Sequence, residues 1–295
     1  MSGGVEFVEL PGAAGSARIE YQWLVPNRDA QATGDAAATG QGGAPLIVFL
    51  HEGLGSVAMW RAFPQQLCDA AGGRGLVYSR PGHGRSTPSA AATDFAVDYM
   101  HEQAHTLLPA LLQALHVDPQ AQPLYLLGHS DGGSITLLYA AAFPTLLTGA
   151  IVLAPHILVE DIAVASIAEA ATTYRETDMG SRLARYHDDA DAMFWRWNRI
   201  WRDPAFEAWS IEAHLTNLRV PVLAVQGLGD EYGTLEQIRG IARRHPDTEP
   251  LELPDCGHSA HRDQPDRVMA AAVRFMRRHS GAEAVAHASP PYPAL

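Results

Sequence analysis

The sequence predicts an α/β fold, a doubly wound and mostly parallel sheet with an inserted helical cap. Three observations carry that expectation. Short apolar runs alternate with stretches of helical period, the pattern of strand–helix–strand units. The strand-like runs, such as Leu46-Ile47-Val48-Phe49-Leu50, are apolar throughout, as strands covered on both faces must be. The alternation then stops between Pro155 and Arg219, where helical patterns dense in aromatic residues take over.

In chain order, residues 5–10 and 17–25 read as two strands around the Gly-rich turn 11–15, forming an antiparallel edge. Residues 27–44 lack periodic apolar positions and are expected to form a flexible loop. A strand at 46–50 follows, then a helix carrying Trp60, Phe63, Leu67 and Cys68, with Pro64 near its start. Next come a strand at 75–79, a turn at 81–86 and a helix over 99–115. Further strands are expected at 123–127, 149–154, 220–225 and 249–253, with a helix over 134–143 that Pro144 ends. The tail 281–295, rich in Ala, Ser and Pro, is expected to be disordered. The economical organisation is one core domain, 1–154 with 220–280, interrupted by a helical cap at 155–219.

Composition narrows the partners. A net charge of −12 lacks the clustered cations that phosphate backbones need, which argues against nucleic acid. The start, Met1-Ser2-Gly3-Gly4-Val5-Glu6, has no signal-peptide character, and no apolar run approaches the roughly 18 residues that span a bilayer. A soluble cytoplasmic protein without membrane contact is expected, its two cysteines, Cys68 and Cys256, being reduced core thiols.

The run Gly128-His129-Ser130-Asp131-Gly132 stands between the strand at 123–127 and the helix at 134–143. Gly-x-Ser-x-Gly in that setting forces a tight strand-to-helix turn that lifts a serine hydroxyl over the strand ends, the geometry of a nucleophile. Alone the match is weak in a chain with 26 Gly. A serine also needs a base, and the base an acid. Asp230 closes the strand-and-loop run Val222 to Asp230, where carboxylates of open α/β sheets belong, and His258 follows the last strand. Asp230 as a mere helix cap, Glu231 or Asp255 as the acid, and His261 as the base are the rival assignments.

These motifs, with Pro81-Gly82-His83-Gly84-Arg85-Ser86 and Gly257-His258, resemble those of the α/β-hydrolase fold superfamily over roughly residues 5–278. The resemblance implies the order Ser130, Asp230, His258 as nucleophile, acid and base, and an oxyanion hole that lowers the barrier by about 3 kcal/mol per donor. One donor is expected to be the N–H of Asp131. By similarity to the family's His-Gly-x-x-Gly loops, the other is the N–H of Gly53, with Leu54 as the fallback.

Glu52 departs from that loop pattern, which usually has Gly there. A carboxylate near a developing oxyanion opposes catalysis unless it is paired or turned away. It either bonds to a neighbouring loop or orders a polar substrate group or a water. His51 reads as an organiser of its loop; His83 and Arg85 lie in a Gly-rich loop beside the expected site, and Arg80 is placed to face a substrate carboxylate, with structural ion pairing the plainer use. His156 stands where a strand end meets the cap, and His129 flanks the nucleophile.

In the cap, four of the six Trp fall between 195 and 209, and Phe194, Trp197 and Trp201 share one helical face. Packing on the core accounts for most of them. The remainder are pocket candidates, namely Trp195 and Trp197 with Glu52, Leu54 and His156.

The expected function is a serine hydrolase of a small-molecule ester, lactone or related acyl substrate, through an acyl-enzyme on Ser130. It needs no metal or organic cofactor. The alternatives are a C–C bond hydrolase of ring-cleavage dienoates, which would hold the substrate carboxylate with an Arg, and a non-catalytic ligand-binding protein on the same fold.

Overall fold

A computed structural model describes residues 3–11, 16–27, 43–87 and 94–280 of the chain. The expected loop at 27–44, except Asn27, Gly43 and Ala44, and the tail 281–295 lie outside the described residues, as does most of the turn at 11–15.

Eight strands form one sheet: β1 (Glu6–Leu10), β2 (Ala17–Leu24), β3 (Leu46–Leu50), β4 (Arg74–Tyr78), β5 (Leu124–His129), β6 (Gly149–Leu153), β7 (Val222–Gly227) and β8 (Thr248–Leu253). Their order is β1-β2-β4-β3-β5-β6-β7-β8. β1 and β2 make the antiparallel edge and every other pair from β4 to β8 is parallel. The chain steps outward from β3 to β4 and returns to β5 on the other side of β3. That reversal opens a crevice at the C-terminal ends of β3 and β5, where ligands of such sheets bind.

The central strands are apolar throughout because both faces are covered. Leu46, Val48 and Leu50 of β3 pack into one core, together with Leu124 and Leu126 of β5 and Val222 and Ala224 of β7. Their alternating neighbours Ile47, Phe49, Tyr125, Leu127, Leu223 and Val225 pack into the other. The period of two delivers each residue to its layer.

The helices are α1 (Phe63–Ala71), α2 (Tyr99–Glu102), α3 (Leu108–Ala114), α4 (Asp131–Ala142), α5 (Asp161–Glu176), α6 (Met179–Leu183), α7 (Ala190–Trp201), α8 (Glu236–Arg244), α9 (Ala260–Asp263) and α10 (Pro265–His279). Two expectations need correction. Trp60 does not belong to α1 but to a separate 3₁₀ turn, Val57–Trp60, closed by Arg61 at φ 55°. The single helix expected over 99–115 is interrupted by a π-helical turn, Gln103–Leu107. Pro109 explains this: it has no N–H for the His105 carbonyl and its ring crowds that oxygen, so a wider turn replaces the α turn.

Between β6 and β7 the chain forms α5, α6 and α7. The α7 face carrying Phe194, Trp197 and Trp201 is buried in the first core. Asp189 caps the helix by accepting the Ala192 N–H at 2.9 Å. A bridge between Leu158 and Ser210 ties the two ends of the segment together. Among the described residues no helix is long and apolar enough to cross a membrane.

Candidate active site

Ser130 sits between β5 and α4 at φ 53° and ψ −120°, a conformation that costs a non-glycine residue about 1–3 kcal/mol. The turn is held from below. A Cβ on Gly128 would strike the Gly132 carbonyl, and one on Gly132 would strike the backbone of Leu50. Both are backbone clashes with no flexible side chain to yield. Gly132→Ala is therefore expected to cost about 3 kcal/mol or more in denaturant unfolding and to displace Ser130, a loss of stability and of any serine-dependent activity together.

The Ser130 N–H donates to Leu153 at 2.9 Å, so the neighbouring strand β6 also fixes the turn. The Asp131 N–H opens α4 and has no earlier carbonyl to reach. Among the described residues it donates to no protein group, and the same holds for the N–H groups of Gly53 and Leu54.

Asp230 and His258 come from the loops after β7 and β8. His258 Nδ1 donates to Asp230 Oδ1 at 2.8 Å. The same carboxylate accepts the Tyr232 N–H at 2.9 Å and Gln226 Nε2 at 3.0 Å. Burial pushes the Asp230 carboxyl upward in pKa, but the hydrogen bond and charge of His258 outweigh that and hold it below the usual range. Asp230 does not cap α8, which begins at Glu236 without a side-chain cap.

The His258 loop is pinned at three backbone points by side chains. Glu231 accepts the His258 N–H at 3.1 Å, Asp263 accepts the Gly257 N–H at 2.8 Å, and His129 Nε2 donates to the His258 carbonyl at 3.0 Å. The His258 ring thereby lies 5.0 Å from that of His129, the residue before Ser130. No hydrogen bond joins the Ser130 hydroxyl to His258 among the described residues. Bonds of this kind commonly tighten only on a bound reactant. The rival residues are engaged otherwise: His261 is buried against Trp60, Phe63 and the His129 ring, Asp255 is exposed, and Glu231 accepts the His258 backbone N–H.

The loop after β3 is gripped by its carbonyls. Arg80 Nη2 donates to the Glu52 oxygen at 2.8 Å and His51 Nδ1 to the same oxygen at 2.7 Å. His83 Nε2 donates to the Gly53 oxygen at 3.0 Å, and His187 Nε2 to the Leu54 oxygen at 3.0 Å. Burial holds the pKa values of His51 and His83 well below the usual histidine range, with Arg80 adding to the effect, so both rings are neutral. Because His51 Nε2 accepts the Arg80 N–H at 3.0 Å, its proton is on Nδ1.

The half-buried Glu52 carboxylate turns toward His129 Nδ1 at 3.8 Å and Arg262 at 3.7 Å. Its own burial raises its pKa, yet His129, His51 and Arg262 together hold it well below the usual carboxylate range.

The wall above comes from the β6–β7 segment. Trp197 lays its indole Nε1 against Gly53, where a Cβ would overlap it. His156 packs on Trp201 at 4.7 Å and lies 6.0 Å from His258. Burial and His258 drive its pKa down to about 3, so it is an uncharged ring. Trp195 is not brought to this site. It turns to Tyr174, Arg175 and Asp191, because one residue beyond Phe194 lies on a different side of the helix from Trp197 and Trp201. Sequence reasoning did not single out His187 or Tyr99. Their partners are remote in the chain and neither belongs to a motif.

A parallel sheet with a strained serine turn at its centre and an Asp–His pair at the ends of later strands defines a class of protein, and sequence comparison agrees. A model described as "Alpha/beta hydrolase family" matches residues 47–272, and the chain belongs to that family. Solved structures similar to it include a thermophilic esterase from Thermogutta terrifontis (19% identity, 93% of this chain and 99% of that one, TM-score 0.65). The enol-lactonase from Burkholderia xenovorans is similar as well (19%, 92% and 99%, TM-score 0.66). So is a proline iminopeptidase from Mycobacterium smegmatis (20%, 93% and 99%, TM-score 0.65). At these identities the likeness shows the fold. No curated protein matches the chain.

Proposed function

We propose that the protein is a serine hydrolase that cleaves a small-molecule ester or lactone through an acyl-enzyme on Ser130. The observation that carries this reading is the Asp230–His258 pair, bonded at 2.8 Å and delivered beside the elbow that holds Ser130. His258 Nε2 takes the Ser130 proton as the hydroxyl oxygen attacks the carbonyl carbon. The alkoxide charge falls on the carbonyl oxygen, where the free N–H groups of Asp131 and Gly53 receive it. Collapse expels the leaving group with the proton from His258, and a water repeats the sequence to release the acid. Asp230 keeps the His258 proton on Nδ1 and supports the imidazolium between steps.

The β6–β7 helices act as a cap whose Trp197 and neutral His156 border the site and fit an uncharged substrate. Cleavage of a dienoate C–C bond is less well supported. It calls for a cation facing the substrate carboxylate, whereas Arg80 is 2% exposed and spent on Glu52 and Asp131. Cys68 and Cys256 are free and buried, which fits work in the reducing cytoplasm.

A panel of p-nitrophenyl esters, lactones, thioesters and a coloured dienoate tests the reading, with Ser130→Ala as control. Ester or lactone turnover that disappears in Ser130→Ala is the expected result. Turnover of the dienoate alone, or binding of ligand with no turnover of any substrate, would overturn it.

A further inference from the structure

We propose that Arg80 is a positioning residue that aims both oxyanion-binding N–H groups and polarises that of Gly53. The inference rests on the acyl-transfer reading above. Arg80 follows β4 and its guanidinium is buried between the two loops that supply those donors. Nη2 holds the Glu52 carbonyl at 2.8 Å. Nη1 lies 3.4 Å from Asp131 Oδ2, which also accepts the Tyr99 hydroxyl at 2.9 Å; Tyr99 is in turn held by Trp201 Nε1 at 3.2 Å.

Peptide geometry turns those contacts into aim. The Glu52 carbonyl and the Gly53 N–H belong to one planar trans unit and point in opposite directions. Arg80 and His51 grip the oxygen from one side, so the N–H is committed to the other. Its own backbone N–H, donated to His51 Nε2 at 3.0 Å, holds the second gripping residue in its tautomer. At the other donor, the Arg80–Tyr99 clamp fixes the first residue of α4 and with it the Asp131 N–H.

Charge adds to geometry. A guanidinium on a peptide oxygen draws electron density from the amide and strengthens its N–H as a donor. The same cation offsets the Asp131 carboxylate, a buried negative charge one residue from the nucleophile that would otherwise oppose an oxyanion. Two polar atoms of this pair, Arg80 Nε and Asp131 Oδ1, have no hydrogen-bond partner among the described residues, so a pair built for stability alone would be poorly satisfied. A fork that must reach two loops at once explains the compromise, and only arginine has that fork.

The test compares Arg80→Lys and Arg80→Met with the wild type, using an ester the wild type hydrolyses. A trifluoromethyl ketone serves as probe: Ser130 adds to its carbonyl, the proton passes to His258 and the oxygen becomes an oxyanion. Arg80→Met should lose roughly 10- to 100-fold in kcat, short of deleting a donor outright, with KM within about threefold. Affinity for the ketone should fall by the same factor. Arg80→Lys, which keeps the charge but not the fork, should fall between.

Unchanged kcat in folded variants, a loss confined to KM, unchanged ketone affinity, or failure of both variants to fold would overturn the inference. The Ser130→Ala control separates the two claims. Without Ser130-dependent turnover in the wild type the hydrolase reading itself fails, whereas Ser130-dependent turnover indifferent to Arg80 sinks only this one.

Discussion

Asp230→Asn is expected to lower kcat on the order of 10⁴-fold while leaving KM within a few-fold. Both carboxylate oxygens are in use as acceptors: Oδ1 for His258 Nδ1 and the Tyr232 N–H, Oδ2 for Gln226 Nε2. An amide has one acceptor oxygen. Placed at Oδ1, it sets its NH₂ against Gln226 Nε2, which cannot turn away without giving up the Gly233 carbonyl at 2.9 Å. Placed at Oδ2, it presents an N–H to His258 and reverses the tautomer, leaving a proton where Ser130 needs a base. In either case the negative charge that supports the imidazolium is gone. The loss corresponds to about 5 kcal/mol of transition-state stabilisation. Steady-state kinetics on the best ester, with a thermal melt to show an intact fold, make the check, and a loss below tenfold would contradict the assigned role of Asp230.

Acid sensitivity is the second large effect. His51, His83, His156 and His261 are buried, and burial lowers the pKa of each far below 6.5. In the unfolded chain the same rings bind protons near 6.5. Between those values the unfolded state holds more protons, so acidification favours it: the stability is fully present above pH 6.5 and drains away as the pH falls below it. One pH unit costs about 1.4 kcal/mol per ring. At pH 5.5 His156, with its pKa near 3, removes about 1.4 kcal/mol by itself, and His51, His83 and His261 add to the loss in the same direction. Glu52 and Asp230, with lowered pKa values, add to the loss only below their unfolded values near 4. Urea denaturation at pH 7.5 and 5.5 measures the difference. His261→Phe, packed against Trp60, Phe63 and His129, should flatten the slope by one ring's share, and a free energy that does not change with pH would refute this origin of the acid sensitivity.

Much of the scaffold was legible because it rests on local physics. Continuous apolar runs marked β3, β5, β6 and β7, whose two faces feed two separate cores. That Ser130, Asp230 and His258 stand just past the ends of β5, β7 and β8 was readable too, since their motifs follow apolar runs. The clamp on the loop after β3 was not. Arg80, His83 and His187 reach Glu52, Gly53 and Leu54 across 28, 30 and 133 residues. No periodicity encodes which loop meets which. Trp195 shows the converse, because grouping it with Trp197 by density ignored the helical spacing that separates their directions. The π turn before Pro109 had a visible cause in the sequence, but a proline three turns into a helical pattern does not announce which distortion relieves it.

Peptide mass spectrometry after reaction with a fluorophosphonate reads out the nucleophile itself. A single covalent adduct is expected on the peptide bearing Ser130, absent from Ser130→Ala and slowed in Asp230→Asn. An adduct on another residue, or none in protein that turns over ester, would contradict Ser130 as the nucleophile.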